Sequence, residues 1–124
     1  MSEVVVDASF LAKLAIHEAD STEVRDWFAS EAKGRFVGPD LLFHETGRAL
    51  QKAGLGRSEH QTLLSGIVLY ASNPGIWEQA ADLTFYDAAY VQLAKERDAS
   101  LATTDNRMRL AAKQAGIPLA FRPS

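Results

Sequence analysis

A chain of 124 residues, 47% hydrophobic and 23% charged, has the composition of an ordinary soluble globular protein. It has no cysteine, which excludes disulfides and thiolate metal sites and fits a cytoplasmic location. The net charge of −3 speaks against non-specific coating of nucleic acid, but not against an enzyme that grips a short stretch of backbone beside a metal. No apolar run approaches the ~20 residues of a membrane span. No basic N-terminal region followed by an apolar stretch marks a signal peptide. One domain over residues 1–124 is expected.

Val4-Val5-Val6 is a β-branched run and reads as a buried strand. Phe10, Leu11, Leu14 and Ala15 then recur at helical spacing, which makes Asp7-Ala8-Ser9 a strand-to-helix turn. Asp20 and Glu23 have capping-box spacing and open a helix with Val24, Trp27 and Phe28 on one face, stopped at Gly34. Residues 35–38 form a second strand candidate, and Pro39 suits the first turn of a helix carrying Leu42, Glu45, Thr46, Ala49 and Leu50. Gly54-Leu55-Gly56 breaks it.

Ser58 and Gln61 form another capping box, followed by Leu63, Leu64, Ile67, Val68 and Ala71 as one helix ended by Asn73-Pro74-Gly75. A short helix is expected within Ile76 to Asp82. Thr84 and Asp87 open a further helix with Tyr86, Tyr90, Leu93 and Ala94 on one stripe. Ser100 to Thr103 is a third strand, and Met108, Ala111, Ala112 and Ala115 mark the last helix, stopped by Gly116. Ile117 to Phe121 closes the chain as a strand, with Pro118 pointing to an edge position. Strands alternating with helices imply right-handed crossovers and a mostly parallel α/β sheet.

Four acids stand out against this frame: Asp7 and Asp105 where strands end, Asp87 at a helix start, and Glu45 on a largely apolar helix face. In an open α/β sheet, ligands bind at the carboxyl ends of the strands, where such residues converge. Clustered carboxylates repel one another and call for a cation. Hard oxygen donors suit Mg²⁺ or Mn²⁺. Each acid also has a structural explanation: Asp7 and Asp105 as N-caps, Asp87 as the third residue of a capping box, Glu45 as a solvated helix residue. Capping does not exclude ligation, because a carboxylate has two oxygens.

Other chemistries are poorly served. His17, His44 and His60 lack metal-ligand spacing, and His44 is expected to diverge from Glu45 as its helix neighbour. Ser9, Thr103 and Thr104 lack a partner base for nucleophilic catalysis. No dinucleotide or phosphate-binding glycine loop is present. A receiver-type phosphoacceptor would want a second acid near the first strand and a late lysine.

The blocks at residues 4–9, 39–45, 83–90 and 101–105, VVVDAS, PDLLFHE, LTFYDAAY and LATTD, resemble the PIN domain, and most of all the VapC-type toxin ribonucleases of toxin–antitoxin pairs. The resemblance covers nearly the whole chain, in the family's order. It implies a three-layer α/β fold with helices on both faces of a mostly parallel sheet. It makes Asp7, Glu45, Asp87 and Asp105 the catalytic quartet, with Asp7, Asp87 and Asp105 as metal ligands and Ser9 and Thr103 as supporting hydroxyls. It implies a metal-dependent endoribonuclease using Mg²⁺ or Mn²⁺ on single-stranded RNA, a small VapB-like antitoxin as partner, and a homodimer, for which the helix bearing Trp27 and Phe28 offers apolar surface. Lys13, Arg48 and Arg107 are candidate RNA contacts. Two departures from the family pattern are visible: Arg48 stands where an Asn is common, and the segment from Ser72 to Thr84 is short. The alternatives are a PIN-domain RNA-processing nuclease without an antitoxin, and a non-catalytic α/β interaction module.

Overall fold

The β-branched run does form a strand in the computed structural model, which describes residues 2–31 and 35–122. β1 (Glu3–Val6) lies between β2 (Arg35–Pro39) and β4 (Ser100–Ala102). β3 (Ile67–Tyr70) adds outside β2, so the order is β3-β2-β1-β4, and all three pairings are parallel. The chain thus moves outward from β1 to β3, then crosses back to the other side of β1. The reversal falls between β1 and β4, the place where an open α/β sheet forms a ligand crevice. Asp7 follows β1 and Asp105 follows β4, so both acids sit at its mouth.

Among the described residues there are six α-helices: α1 (Ala8–Ala12), α2 (Ser21–Ser30), α3 (Leu41–Lys52), α4 (Arg57–Leu64), α5 (Phe85–Glu96) and, after the last strand, α6 (Asn106–Gln114). The core joins Val5, Val6, Leu101 and Val37 of the sheet to Phe10, Leu11, Leu42, Tyr90 and Val91 of the helices, all essentially inaccessible to solvent. α5 is buried from Asp87 through Ala94, more than the single stripe expected. It lies against both the sheet and a 3₁₀ turn, Pro74–Gln79, which covers it from outside. A Cβ on Gly38 would come within 2.5 Å of the fully buried Leu42, so glycine there lets α3 pass close over the end of β2. Gly116 takes a positive φ of 76° and ends α6 as expected.

Several local expectations fail for identifiable reasons. Ile67 and Val68 do not continue the helix of Leu63 and Leu64: α4 stops at Leu64, and Ile67–Tyr70 is the edge strand β3, half-exposed. α4 starts two residues early, at Arg57, because Glu59 rather than Gln61 reaches back, its Oε1 accepting from Gly56 N at 2.7 Å. Pro39 closes β2 instead of opening α3, and the Asp40 carboxylate binds Ser72 N and Oγ (3.2 and 2.7 Å) rather than capping its own helix. Asp20 makes no cap bond either, since Lys13 holds it at 2.7 Å. Ile117–Phe121 meets β4 through a single bridge, Leu101 with Leu119, and is not a full strand. The expected stop at Gly34 lies outside the described residues.

Trp27 and Phe28 point inward. Trp27 packs edge-on to Phe10 (5.3 Å) and Phe121 (5.8 Å), and Phe28 stacks on Phe36 at 4.5 Å. α2 therefore does not offer these two rings as a dimer surface. Large exposed apolar side chains lie elsewhere, including Trp77, Phe85 and Tyr86. Among the described residues, no helix is long and apolar enough to cross a membrane.

Candidate active site

Each acid reaches the crevice by a different local device. Asp7 takes extended backbone after β1 and caps α1, its Oδ1 accepting from Phe10 N at 3.0 Å. Asp105 does the same for α6, its Oδ1 accepting from Arg107 N at 2.9 Å. Thr84 caps α5 by accepting from Asp87 N at 3.1 Å, which places Asp87 in the first turn facing the crevice. Glu45 projects from the second turn of α3. All four line one open cleft of about 640 Å³, with Ser9, Arg48, Tyr90 and Arg107 among its walls.

Capping and convergence thus coexist. The capping explanation accounts for one oxygen of Asp105 and for the backbone of Asp87, and leaves Asp87's carboxylate unexplained. That side chain is 9% exposed. Its Oδ2 is buried and accepts no hydrogen bond. Arg107 Nε lies 3.0 Å from that oxygen, an ion-pair distance, but not in line to donate.

Two hydroxyls tie β1 to β4 through Asp7. Ser9 Oγ donates to Asp7 Oδ1 at 2.8 Å and accepts from Thr104 N at 3.2 Å. Thr103 Oγ1 donates to Asp7 Oδ2 and accepts from Asp105 N at 3.0 Å. Both hydroxyls are therefore occupied in orienting acids, and neither is free to act as a nucleophile. Burial pushes the Asp7 carboxyl up to about 6, against the pull of its bonds from Thr103, Phe10 and Ser9, with the Asp105 charge adding to the rise.

The model of the PIN domain family matches residues 4–114. The chain belongs to the PIN-domain family. Ribonuclease VapC1 of Mycobacterium tuberculosis is 32% identical over 131 aligned positions, covering 95% of each protein. The crystal structure of PAE2754 from Pyrobaculum aerophilum is 27% identical, covers 89% of this chain and 84% of that one, and has a TM-score of 0.66. The M. tuberculosis VapC20 structure is 17% identical with a TM-score of 0.75, covering 97% and 99%, and is similar in fold.

In this PIN domain the expected basic residues part company. Arg48 borders the cleft. Lys13 does not: it lines a neighbouring groove, where Glu18 and Asp20 hold its ammonium, each at 2.7 Å. Arg107 turns onto the acids themselves, 3.0 Å from Asp87 and 3.7 Å from Asp105. His44 borders the cleft although it follows a different direction from Glu45 on α3.

Tyr90 was legible only as a member of an apolar stripe. Its ring is buried, yet its hydroxyl donates to Glu45 Oε1 at 2.7 Å. Burial, and then the nearby Glu45 charge, raises its ionisation far above the usual tyrosine range, so it is a permanent neutral donor. It links α5 to α3 and fixes the one acid that no cap or strand end orients. Tyr90→Phe keeps the packed ring and removes that bond. A fall of about tenfold or more in kcat, with the fold retained, is the expected result, in line with the cost of removing outer-shell hydrogen bonds at metal sites. Unchanged kcat in steady-state cleavage would show that Glu45 needs no such anchor.

The donor set suits a hard divalent cation: carboxylate oxygens, one of them buried and without a donor. Among the described residues, no three acidic or histidine side chains are gathered tightly enough to chelate one ion as they stand.

Proposed function

We propose that this PIN domain is a Mg²⁺- or Mn²⁺-dependent endoribonuclease that hydrolyses single-stranded RNA, as the toxin of a VapBC-like pair. The observation that carries the reading is the buried, donor-less oxygen of Asp87 in a cleft shared with Asp7, Glu45 and Asp105. Burying a carboxylate oxygen with no hydrogen-bond donor is costly, and a cation bound at the sheet's switch point would offset that cost. The match to a ribonuclease over nearly the full length supports the same activity.

Asp7, Asp87 and Asp105 would hold the ion, directly or through water. A bound divalent ion supplies a hydrolytic water at neutral pH and positive charge for the scissile phosphate. Ser9 and Thr103 keep Asp7 in the orientation its strand end provides. Glu45, anchored by Tyr90, would orient the attacking water. Arg48 would meet a substrate phosphate at the cleft's edge.

A small antitoxin that places an Arg or Lys over the acids fits the cleft's charge, and a homodimer is the proposed assembly in the cytoplasm. Light scattering at micromolar concentration checks the dimer; a strict monomer contradicts it. For the activity, cleavage of single-stranded RNA by purified, partner-free protein should require Mn²⁺ and stop in EDTA. Cleavage that survives EDTA would overturn the metal mechanism. An RNA-processing role without an antitoxin uses the same site, and no specific observation favours it.

A further inference from the structure

We propose that Arg107 is a built-in competitor for the metal, holding the cation's place between Asp87 and Asp105 until an ion displaces it. The inference rests on the metal-centre reading above. Asp105 caps α6 through Arg107 N, so residue 107 falls in the helix's first turn and its side chain can turn back over the cleft. There one guanidinium serves two carboxylates, at 3.0 Å from Asp87 Oδ2 and 3.7 Å from Asp105 Oδ2. It is a poor fit. The contact to Asp87 is out of line, and the buried oxygen keeps no hydrogen bond.

The other two cations on the cleft, Arg48 and Lys52, form no ion pair among the described residues. Among the described residues, Arg107 is the one cation paired with acids of the cleft, and it reaches Asp87 and Asp105. Its side chain is 67% exposed, so it can withdraw into water without breaking a packed contact. A divalent ion brings twice the charge to the same oxygens, and its repulsion would keep the guanidinium out.

The consequence is a metal affinity set below what the acids alone would give. An exposed ion pair is worth about 1 kcal/mol at most, and the burial of Asp87 adds to it, so the handicap is on the order of five- to tenfold. The test is isothermal titration of Mn²⁺ into full-length wild type, Arg107→Gln and Arg109→Gln, without RNA. Arg109 lies on α6 but faces a separate groove with Lys113 and Arg122, so it controls for net charge. Arg107→Gln should bind Mn²⁺ about five- to tenfold more tightly than wild type, and Arg109→Gln within about twofold of it. Equal or weaker binding by Arg107→Gln, while wild type binds, overturns the competition and leaves the metal centre standing. An equal gain in Arg109→Gln overturns it too, since general charge then suffices. If neither wild type nor Arg107→Gln binds Mn²⁺, the metal reading falls and takes this inference with it.

Discussion

Asp87→Asn should lower RNA cleavage by about a thousandfold and leave the metal-free protein within about 1 kcal/mol of wild-type stability. Metal-assisted stabilisation of a hydrolytic transition state is worth several kcal/mol, and each 1.36 kcal/mol is tenfold in rate. The stability effect is small because two contributions oppose. The substitution removes an ion pair whose Arg107 partner is 67% exposed, which is worth little. It also removes a buried charge with an oxygen that no donor satisfies, which is a relief. Asn can keep the backbone bond from Asp87 N to Thr84 Oγ1, so the start of α5 survives. Saturating Mn²⁺ should raise the melting temperature of wild type and barely that of the variant. A variant that melts well below wild type and is indifferent to Mn²⁺ would mean that Asp87 serves the helix terminus and not a metal. Asp105→Asn should cost less activity, because its side chain is 37% exposed and water can stand in for it.

In EDTA, the folded protein should become less stable as pH rises through about 6, by about 2–3 kcal/mol in all, and Asp7→Asn should remove that dependence. The Asp7 carboxyl is raised from 3.8 to about 6 on folding, chiefly by burial. The folded state therefore holds a proton that the unfolded state releases earlier. Asp7's contribution is fully present below about 3.8 and is lost as pH climbs through about 6. At 1.36 kcal/mol per pKa unit, that displacement gives the stated range. Denaturant unfolding at pH 4.5, 5.5, 6.5 and 7.5 measures it. The other buried acid with a resolved shift works in the opposite direction at a lower pH: Arg97 holds the Glu3 carboxylate below its usual range, so its contribution is lost only as the solution becomes more acid. A wild type with flat stability from pH 5 to 7, or an Asp7→Asn that keeps the slope, would contradict the burial account.

Strands β1, β2 and β4, and the places of Asp7 and Asp105 at strand ends, were legible because their signals are local. Three successive valines before Asp7, and an apolar run before Asp105, mark strand ends whatever the tertiary structure. The edge strand Ile67–Tyr70 was not, because its apolar residues continue the spacing of Leu63 and Leu64. A four-residue strand at the sheet's rim, partly exposed on every residue, has no alternation of its own to compete. The cap expected at Asp20 failed because Lys13 holds its carboxylate instead. The outward dimer face assigned to Trp27 and Phe28 failed because helical spacing shows that two rings share a side, not which side meets the core. Tyr90 and Arg107 make the cleft contacts that were not legible, one to Glu45 and one to Asp87. Their roles depend on where a hydroxyl and a guanidinium end up across 45 and 20 residues of chain, which no spacing rule states.

The central claim is that the carboxylates at the β1–β4 crevice form a divalent-metal site. Crystals soaked in Mn²⁺ and measured for anomalous scattering test it directly. The account predicts a peak in the cleft at coordination distance, about 2.0–2.5 Å, from oxygens of at least two of Asp7, Asp87 and Asp105, with the Arg107 guanidinium moved away. A cleft without a peak at saturating Mn²⁺, with Arg107 still seated on Asp87, would contradict it.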